Sequence, residues 1–175
     1  MAITTVLDDI TRQDVDVVVN AANSTLLGGG GVDGAIHAAA GPRLLTACRE
    51  LRRTTWPQGL PVGHAVATPG FDLPARWVVH TVGPNRHRGQ DDPALLASCF
   101  TASLDVADGL GATSIALPAV GAGVYGWDAT QAAEVAVGAT RSWVDAHPTT
   151  PLTTLRFVLF SPRLLAAFDD ALARG

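Results

Sequence analysis

The side chains best suited to chemistry lie in one segment, residues 16–37. It contains the amides Asn20 and Asn23, and His37 follows Asp33 by four residues. An amide can hydrogen-bond sugar hydroxyls or hold a water molecule, and a carboxylate can act as a base. Residues four apart share one face of a helix, so Asp33 and His37 are expected to be neighbours. Two simpler interpretations stay open, namely a structural amide at Asn23 and a helix cap at Asp33.

Two glycine-rich stretches are candidates for binding phosphate. Gly28 to Gly31 are four consecutive glycines after a short β-branched run, and a second stretch spans Gly121 to Gly126. Glycines let several backbone N–H groups point at one anion, most effectively before a helix. The second stretch matches the dinucleotide pattern Gly-x-Gly-x-x-Gly only weakly, since the acid about 20 residues on, Asp145, falls in a predicted helix. The chain contains no lysine, which excludes a P-loop. We therefore expect a diphosphate held mainly by backbone N–H groups.

The composition excludes several classes of protein. A chain of 175 residues with 47% hydrophobic and 16% charged residues is typical of one globular domain. The net charge of −4 gives little support to nucleic-acid or membrane binding. No secretory leader or long apolar run is present, so a cytoplasmic protein is expected. Cys48 and Cys99 are expected to be buried free thiols, and no His, Cys and carboxylate spacing suggests a metal site.

Predicted strands alternate with predicted helices through most of the chain. The strands are expected at 3–7, 17–19, 64–68, 77–81, 114–117 and 153–160. The helices are expected at 34–40, from 42, at 93–109, from 128 toward 145, and from 162. Residues 83–92 are expected to form a polar, mobile loop. This alternation favours an α/β fold with a largely parallel central sheet and helices on both faces. Ligands of such folds bind beyond the carboxyl ends of the strands, so both glycine stretches should face one crevice.

Residues 16–37 closely resemble the macrodomain signature V-x-x-V-N-A-A-N-x-x-L-x-G-G-G-G-V-x-x-x-I-H, in particular that of the branch that hydrolyses ADP-ribosyl esters. The similarity extends to Asp9-Ile10-Thr11, to the segment from Val79 to Pro84 and to the segment from Gly123 to Gly126. It covers roughly residues 3–160 and departs from the family pattern at Trp127, at His64 and in the arginine-rich 85–92 stretch. The resemblance implies a three-layer α/β/α macrodomain with a mixed, largely parallel sheet, expected as one domain over residues 1–175.

The resemblance also implies roles for individual residues. Asp9 would accept a hydrogen bond from the adenine amino group, with the Ile10 backbone and Phe160 against the ring. Tyr125 would pack on the distal ribose. Asn23 and Asp33 would orient that ribose and the hydrolytic water, with His37 supporting Asp33. Whether Asp33 or the substrate's own phosphate takes the proton stays open. The diphosphate would be held by Gly29, Gly30, Gly31, Val32, Gly121, Ala122, Gly123 and Val124.

The function that the resemblance implies is hydrolysis of ADP-ribosyl esters. The substrates would be glutamate and aspartate side chains modified with one ADP-ribose, and O-acetyl-ADP-ribose as a second substrate. No cofactor, metal or lysine nucleophile is expected, and the expected partners are ADP-ribose and ADP-ribosylated proteins bound by a monomer. The alternatives are a non-catalytic ADP-ribose reader and a hydrolase of ADP-ribosylated nucleic acid.

Overall fold

The computed structural model describes all of residues 1–175, which form six strands, five α-helices and two short 3-10 helices. The strands are β1 (Ala2–Leu7), β2 (Val17–Ala22), β3 (Ala65–Pro69), β4 (Trp77–Val82), β5 (Ser114–Leu117) and β6 (Thr154–Leu159). The α-helices are α1 (Gly31–Ala40), α2 (Pro42–Thr54), α3 (Pro93–Gly109), α4 (Ala129–Ala146) and α5 (Pro162–Ala173). The 3-10 helices are Ile10–Arg12 and Arg86–Arg88.

All six strands join one sheet in the order β1-β6-β5-β2-β4-β3. Every neighbouring pair is parallel except β3 and β4, which are antiparallel. Pro69 ends the edge strand β3, where the missing N–H does least harm. The predicted mixed, largely parallel sheet is therefore confirmed. The carboxyl ends of five strands lie along one edge, where such folds bind ligands.

Helices cover both faces of the sheet and create two separate cores. The larger core packs α3, α4 and α5 against one face, and the smaller packs α1 and α2 against the other. The three-layer architecture predicted from the sequence is thereby confirmed. The predicted stripe of α3 is fully buried, at Leu96, Cys99, Phe100, Ser103, Leu104 and Ala107. Cys48 and Cys99 are both free and buried, as expected.

Local signals in the sequence explain where the helices begin. Proline occupies the first turn of α2, α3 and α5, where its missing N–H costs nothing. Side chains that accept a hydrogen bond from the first turn cap three helices, Asp92 for α3, Asp128 for α4 and Ser161 for α5. None of the helices combines the length and the apolar composition needed to cross a membrane.

Candidate active site

A cleft runs along the carboxyl ends of the strands and consists of two adjoining cavities. The first, of about 490 Å³, is lined by the ends of β1 and β6, the residues that follow these strands, and the start of α1. The second, of about 450 Å³, lies between the two glycine stretches. Both are bordered by Gly31, Val32 and Phe160, so they form one continuous groove. Two adjoining cavities of this volume suit an elongated ligand.

Asp9 and Phe160 present contrasting side chains at the first end of the groove. Asp9 caps the 3-10 helix Ile10–Arg12, and its Oδ1 accepts hydrogen bonds from the Thr11 amide at 2.9 Å and hydroxyl at 2.7 Å. These hydrogen bonds lower the pKa of Asp9 and keep it an ionised acceptor. The Phe160 ring is 67% exposed, beyond the end of β6. An exposed ring beside a fixed carboxylate can stack on a flat heterocycle and accept from its amino group.

The first glycine loop, residues 28–31, leads directly into α1. Its shape is set by Asn23, whose Nδ2 donates to the Gly28 carbonyl at 3.0 Å and whose Oδ1 accepts from the Thr25 amide at 3.1 Å. Gly30 caps α1 without a side-chain hydrogen bond, so the first N–H groups of the helix have no side-chain acceptor. These groups border the groove and form an anion site at a helix N-terminus.

Asp33 does not cap α1, contrary to the interpretation that the sequence left open. The helix begins at Gly31, so Asp33 is its third residue and is only 5% exposed. Its Oδ1 accepts a hydrogen bond from the Asn20 Nδ2 at 2.8 Å. Burial raises the pKa of Asp33, while the Asn20 hydrogen bond and the charge of His37 act in the opposite direction. Burial has the largest effect of the three, so the net shift of the Asp33 pKa is upward.

His37 lies beside Asp33, as the spacing of four residues predicted. Its Nε2 is 3.4 Å from the Asp33 Oδ1, but the geometry does not make a hydrogen bond, and the Nε2 has no other partner. Its ring also lies beneath the first glycine loop, where a Cβ on Gly28 would be 3.9 Å from it. His37 therefore affects Asp33 through its charge and its packing and does not reach the groove.

The second glycine loop, residues 121–126, is held from outside the groove. The Arg86 amide donates to the Tyr125 carbonyl at 2.9 Å, and the Trp127 Nε1 donates to the Pro84 carbonyl at 2.9 Å. The Arg86 guanidinium stacks on the Trp127 ring at 4.5 Å from its centroid. Gly126 has φ +82° and faces the His87 ring. The polar segment expected as a mobile loop thus includes an ordered 3-10 turn, Arg86–Arg88, which braces this loop.

Comparison with known proteins identifies the family. The model of the Macro domain matches residues 19–136. The chain belongs to the Macro domain family. A Macro domain-containing protein of Streptomyces griseus is 54% identical over 165 residues, covering 94% of this chain and 91% of the relative. A Cronobacter sakazakii protein named O-acetyl-ADP-ribose deacetylase is 46% identical over 176 residues, covering 96% of each chain. An Oceanobacillus iheyensis macrodomain, a glycine-to-valine variant with ADPR, gives a TM-score of 0.90 at 38% identity, covering 98% of this chain and 91% of that one.

The resemblance stated from the sequence is thus confirmed, and the macrodomain groove brings together most of the residues singled out there. Ala122 and His37 do not line the groove. Val124 is 86% exposed at its rim. The first cavity is lined by Asp9, Ile10, Gly31, Val32 and Phe160, and the second by Asn23, Gly29, Gly30, Gly31, Val32, Asp33, Gly121, Gly123, Val124, Tyr125 and Phe160.

Sequence reasoning assigned no role in this macrodomain site to Asn20 or His80. Asn20 is fully buried on β2 and donates to Asp33, and its Nδ2 also lies 3.1 Å from the His80 Nδ1. One signal was available, because an amide at the end of a β-branched buried strand is costly unless it is hydrogen-bonded. The partner was not visible, because Asn20 and His80 are 60 residues apart and meet only through the pairing of β2 with β4.

Proposed function

We propose that this macrodomain binds ADP-ribose in the groove and hydrolyses its carboxylate esters. The proposed substrates are glutamate and aspartate side chains carrying one ADP-ribose, and O-acetyl-ADP-ribose. The relative named O-acetyl-ADP-ribose deacetylase and the Oceanobacillus macrodomain with ADPR support this assignment. The observation that carries it is Asp33, a buried carboxylate beside a phosphate-binding loop, with a raised pKa and one oriented oxygen.

The groove matches the parts of ADP-ribose in order. Adenine would stack on Phe160 and donate its amino hydrogen to Asp9. The diphosphate would lie between the two glycine loops, against the positive N-terminal end of α1, whose first backbone N–H groups have no side-chain acceptor. The distal ribose would then lie against Tyr125, within reach of Asn23 and Asp33. The two cavities share the start of α1, which supports a central position for the diphosphate.

The proposed reaction consumes one water molecule and releases ADP-ribose and a carboxylic acid. Asp33 takes a proton from the water as the water oxygen attacks the ester. In a glutamate or aspartate ester, attack at the ribose carbon that bears the ester breaks the bond to the carboxylate, which leaves. In O-acetyl-ADP-ribose, attack at the carbonyl carbon expels the ribose oxygen, which takes up the proton from Asp33, and acetate is released. A raised pKa makes Asp33 a better base than an ordinary carboxylate, which supports Asp33 over the substrate's phosphate as the proton acceptor. The Asn23 Nδ2, already fixed by the Gly28 carbonyl, would direct its second N–H toward the ribose or the water.

The leaving group decides which linkages this site can cleave. A carboxylate leaves without a strong acid, whereas an alkoxide needs protonation or a metal. Besides Asp33, the only carboxyls that line the groove are those of Asp8 and Asp9, which lie at its first end. We therefore expect cleavage of glutamate-linked and aspartate-linked ADP-ribose, with little cleavage of serine ethers or arginine N-glycosides.

A side-by-side assay tests the proposed function. Proteins modified through glutamate, serine or arginine, and O-acetyl-ADP-ribose, are incubated with equal enzyme for equal times, and release of ADP-ribose is followed. Hydrolysis of both esters, with serine and arginine linkages intact, is expected. Binding of ADP-ribose without turnover on any substrate would instead identify a reader. Serine-linked release as fast as glutamate-linked release would mean that a proton donor acts in the groove.

The nucleic-acid alternative has one local feature in its favour. Arg86 and Arg88 lie on the turn that braces Tyr125, and neither forms an ion pair with a carboxylate. The chain as a whole is acidic, with a net charge of −4. An oligonucleotide carrying ADP-ribose on a terminal phosphate, added to the same assay, separates the two functions. Faster release from it than from the glutamate-linked protein would favour the nucleic-acid substrate.

A further inference from the structure

Three buried polar side chains form a connected chain beneath Asp33. The Asn20 Nδ2 is 3.1 Å from the His80 Nδ1, and the His80 Nε2 is 2.9 Å from the Thr68 Oγ1. Asn20 and His80 are fully buried, and Thr68 is 4% exposed. Buried polar groups are costly unless they are hydrogen-bonded, so the arrangement of protons along this chain is constrained.

The contacts assign the tautomer of His80. Burial lowers the pKa of His80 to about 3, so the ring is neutral at any working pH. The Asn20 Nδ2 can only donate, so the His80 Nδ1 must accept and carries no proton. The ring proton therefore lies on Nε2, from which it is donated to the Thr68 hydroxyl.

The Asp33 carboxylate and this tautomer favour the same orientation of the Asn20 amide. In the observed orientation the Nδ2 donates both to the Asp33 carboxylate and to the His80 Nδ1. A half-turn of the amide would put its Oδ1 against both, and three acceptors would then face one another. The turned amide becomes favourable only if Asp33 is protonated and the His80 proton moves to Nδ1.

We propose that His80 is a positioning residue of the hydrolase, whose unprotonated Nδ1 locks the Asn20 amide with its donor toward Asp33 and thereby keeps Asp33 available as the base. The proposal rests on the proposed function, because it gives Asp33 that role. The titratable groups that face Asp33 and His80 are His37 on α1 and Cys48 on α2, whose Sγ is 3.9 Å from the His80 Nε2. Burial and the charge of Asp33 raise the pKa of Cys48 to about 11, so this thiol stays neutral.

Two amide substitutions of His80 separate the roles of its two ring nitrogens. An asparagine side chain can place an acceptor where the Nδ1 lies, and a glutamine side chain reaches the position of the Nε2. His80→Asn should therefore preserve the lock on Asn20, and His80→Gln should preserve only the contact with Thr68. The matched control is His64→Gln, because His64 is an exposed histidine whose ring contacts Trp56.

The kinetic readout is kcat for O-acetyl-ADP-ribose together with the Kd for ADP-ribose. His80→Gln should lower kcat by about 10- to 100-fold, the range found for residues that orient metal ligands through a hydrogen bond, with Kd changed by less than about 2-fold. His80→Asn should stay within about 3-fold of wild type. The acid limb of kcat against pH should move to higher pH in His80→Gln, because a weaker Asn20 hydrogen bond raises the pKa of Asp33. Equal losses in both variants, without a shift of that limb, would overturn the proposal.

A measurement independent of turnover separates failure of this proposal from failure of the proposed function. The ¹⁵N resonances of the His80 ring in the whole protein should show the Nε2–H tautomer and no titration between pH 5 and 9 (about the range in which proteins stay folded). A proton on Nδ1 would overturn the proposal even if every ester is cleaved. If no ester is cleaved, the ¹³C titration of the Asp33 carboxyl still decides, since its pKa should rise in His80→Gln and not in His80→Asn.

Should His80→Gln fail to fold, Thr68→Val provides the test, because loss of the hydroxyl that accepts from the His80 Nε2 leaves the ring proton free to move to Nδ1. An unchanged ¹⁵N spectrum and an unchanged acid limb in Thr68→Val would overturn the proposal.

Discussion

The two glycine loops that flank the groove are stabilised by different kinds of contact. Polar side chains support the first loop, residues 28–31: Asn20 is fully buried and Asn23 is partly buried. The Asn23 amide holds the Gly28 carbonyl, and Asn20 orients Asp33 just after the loop. A Cβ on Gly34 would lie 2.6 Å from the Gly29 carbonyl oxygen, so α1 also packs tightly against this loop.

The second glycine loop, residues 121–126, is supported by rings and backbone. Gly121 lies against the Trp127 ring, and Gly126 against the His87 ring. No titratable side chain of this loop other than Tyr125 lines the groove. Under the proposed function, the reactive side chains Asn23 and Asp33 flank the first loop, whereas the second loop contributes only to binding. Substitutions in the first should therefore affect turnover, and substitutions in the second should affect binding.

Gly123→Glu should have the largest effect and should abolish ADP-ribose binding. A Cβ added at Gly123 would meet no atom within 4 Å, so the substitution fits the protein and fills the groove. The new carboxylate would face the diphosphate, and like charges in contact cost several kcal/mol, about 100-fold or more in Kd. Calorimetry measures this, with Gly109→Glu at the end of α3 as the control for charge. Unchanged affinity would remove the second loop from the diphosphate site.

Asn23→Ala and Asp33→Ala should lower turnover more than affinity. Both residues are proposed to act at the reacting atoms, and losing one positioning or charge-stabilising contact costs about 10²–10³ in rate. The Kd for ADP-ribose should change by less than about 10-fold. The comparison of kcat with Kd for each variant is the measurement. Near-normal turnover in both would mean that the side chains flanking the first loop have no catalytic role.

Phe160→Ala should weaken binding with little effect on kcat. The ring is 67% exposed, so its removal leaves no cavity in the core. Stacking of a base on an aromatic side chain contributes about 1–3 kcal/mol, which corresponds to about 5- to 150-fold in Kd. Phe160→Tyr serves as the control, because it keeps the ring. Loss of kcat at saturating substrate would instead connect the adenine end to the chemistry.

Gly126→Ala should weaken binding by about 10-fold, and a second substitution should restore part of it. A Cβ there would lie 2.8 Å from the His87 ring, and the φ of +82° is itself unfavourable for alanine by about 1–2 kcal/mol. Removing the ring in Gly126→Ala/His87→Ala relieves the steric conflict and leaves only the backbone cost. Such non-additivity is expected of residues in contact. Strict additivity in Kd would show that the Arg86–Arg88 turn does not brace the second loop.

The sequence was sufficient to predict helices and strands whose residue pattern repeats along the element. It was not sufficient to predict contacts between residues that are far apart in the chain. The buried stripe of α3 follows helical periodicity, and the predicted strands differ from the observed ones by a few residues at most. The first turn of α1 was misjudged, because four glycines allow the helix to start at Gly31, which moves Asp33 from the cap into the buried turn. The contact of Asn20 with His80 requires the register of β2 against β4, which no local pattern contains.

The smallest expected effect is a change in the free energy of unfolding when Asp33, just after the first loop, is replaced. The second loop contains no carboxyl that could give a similar effect. Burial raises the pKa of Asp33 in the folded state above its unfolded value. Between those two values the folded protein binds more protons, so the contribution of this carboxyl to stability is present at low pH and is lost as the pH rises through the folded pKa.

Asp33→Asn keeps an oxygen to accept from Asn20 and carries no charge. It should therefore raise Tm at pH 8, by about 2–4 °C if the free energy of unfolding rises by about 1 kcal/mol. The gain should shrink as the pH falls toward 4. Thermal unfolding from pH 4 to 8 measures it, with the exposed Asp14→Asn as the control. A Tm difference that is constant across this range would show that ionisation of Asp33 does not lower the free energy of unfolding.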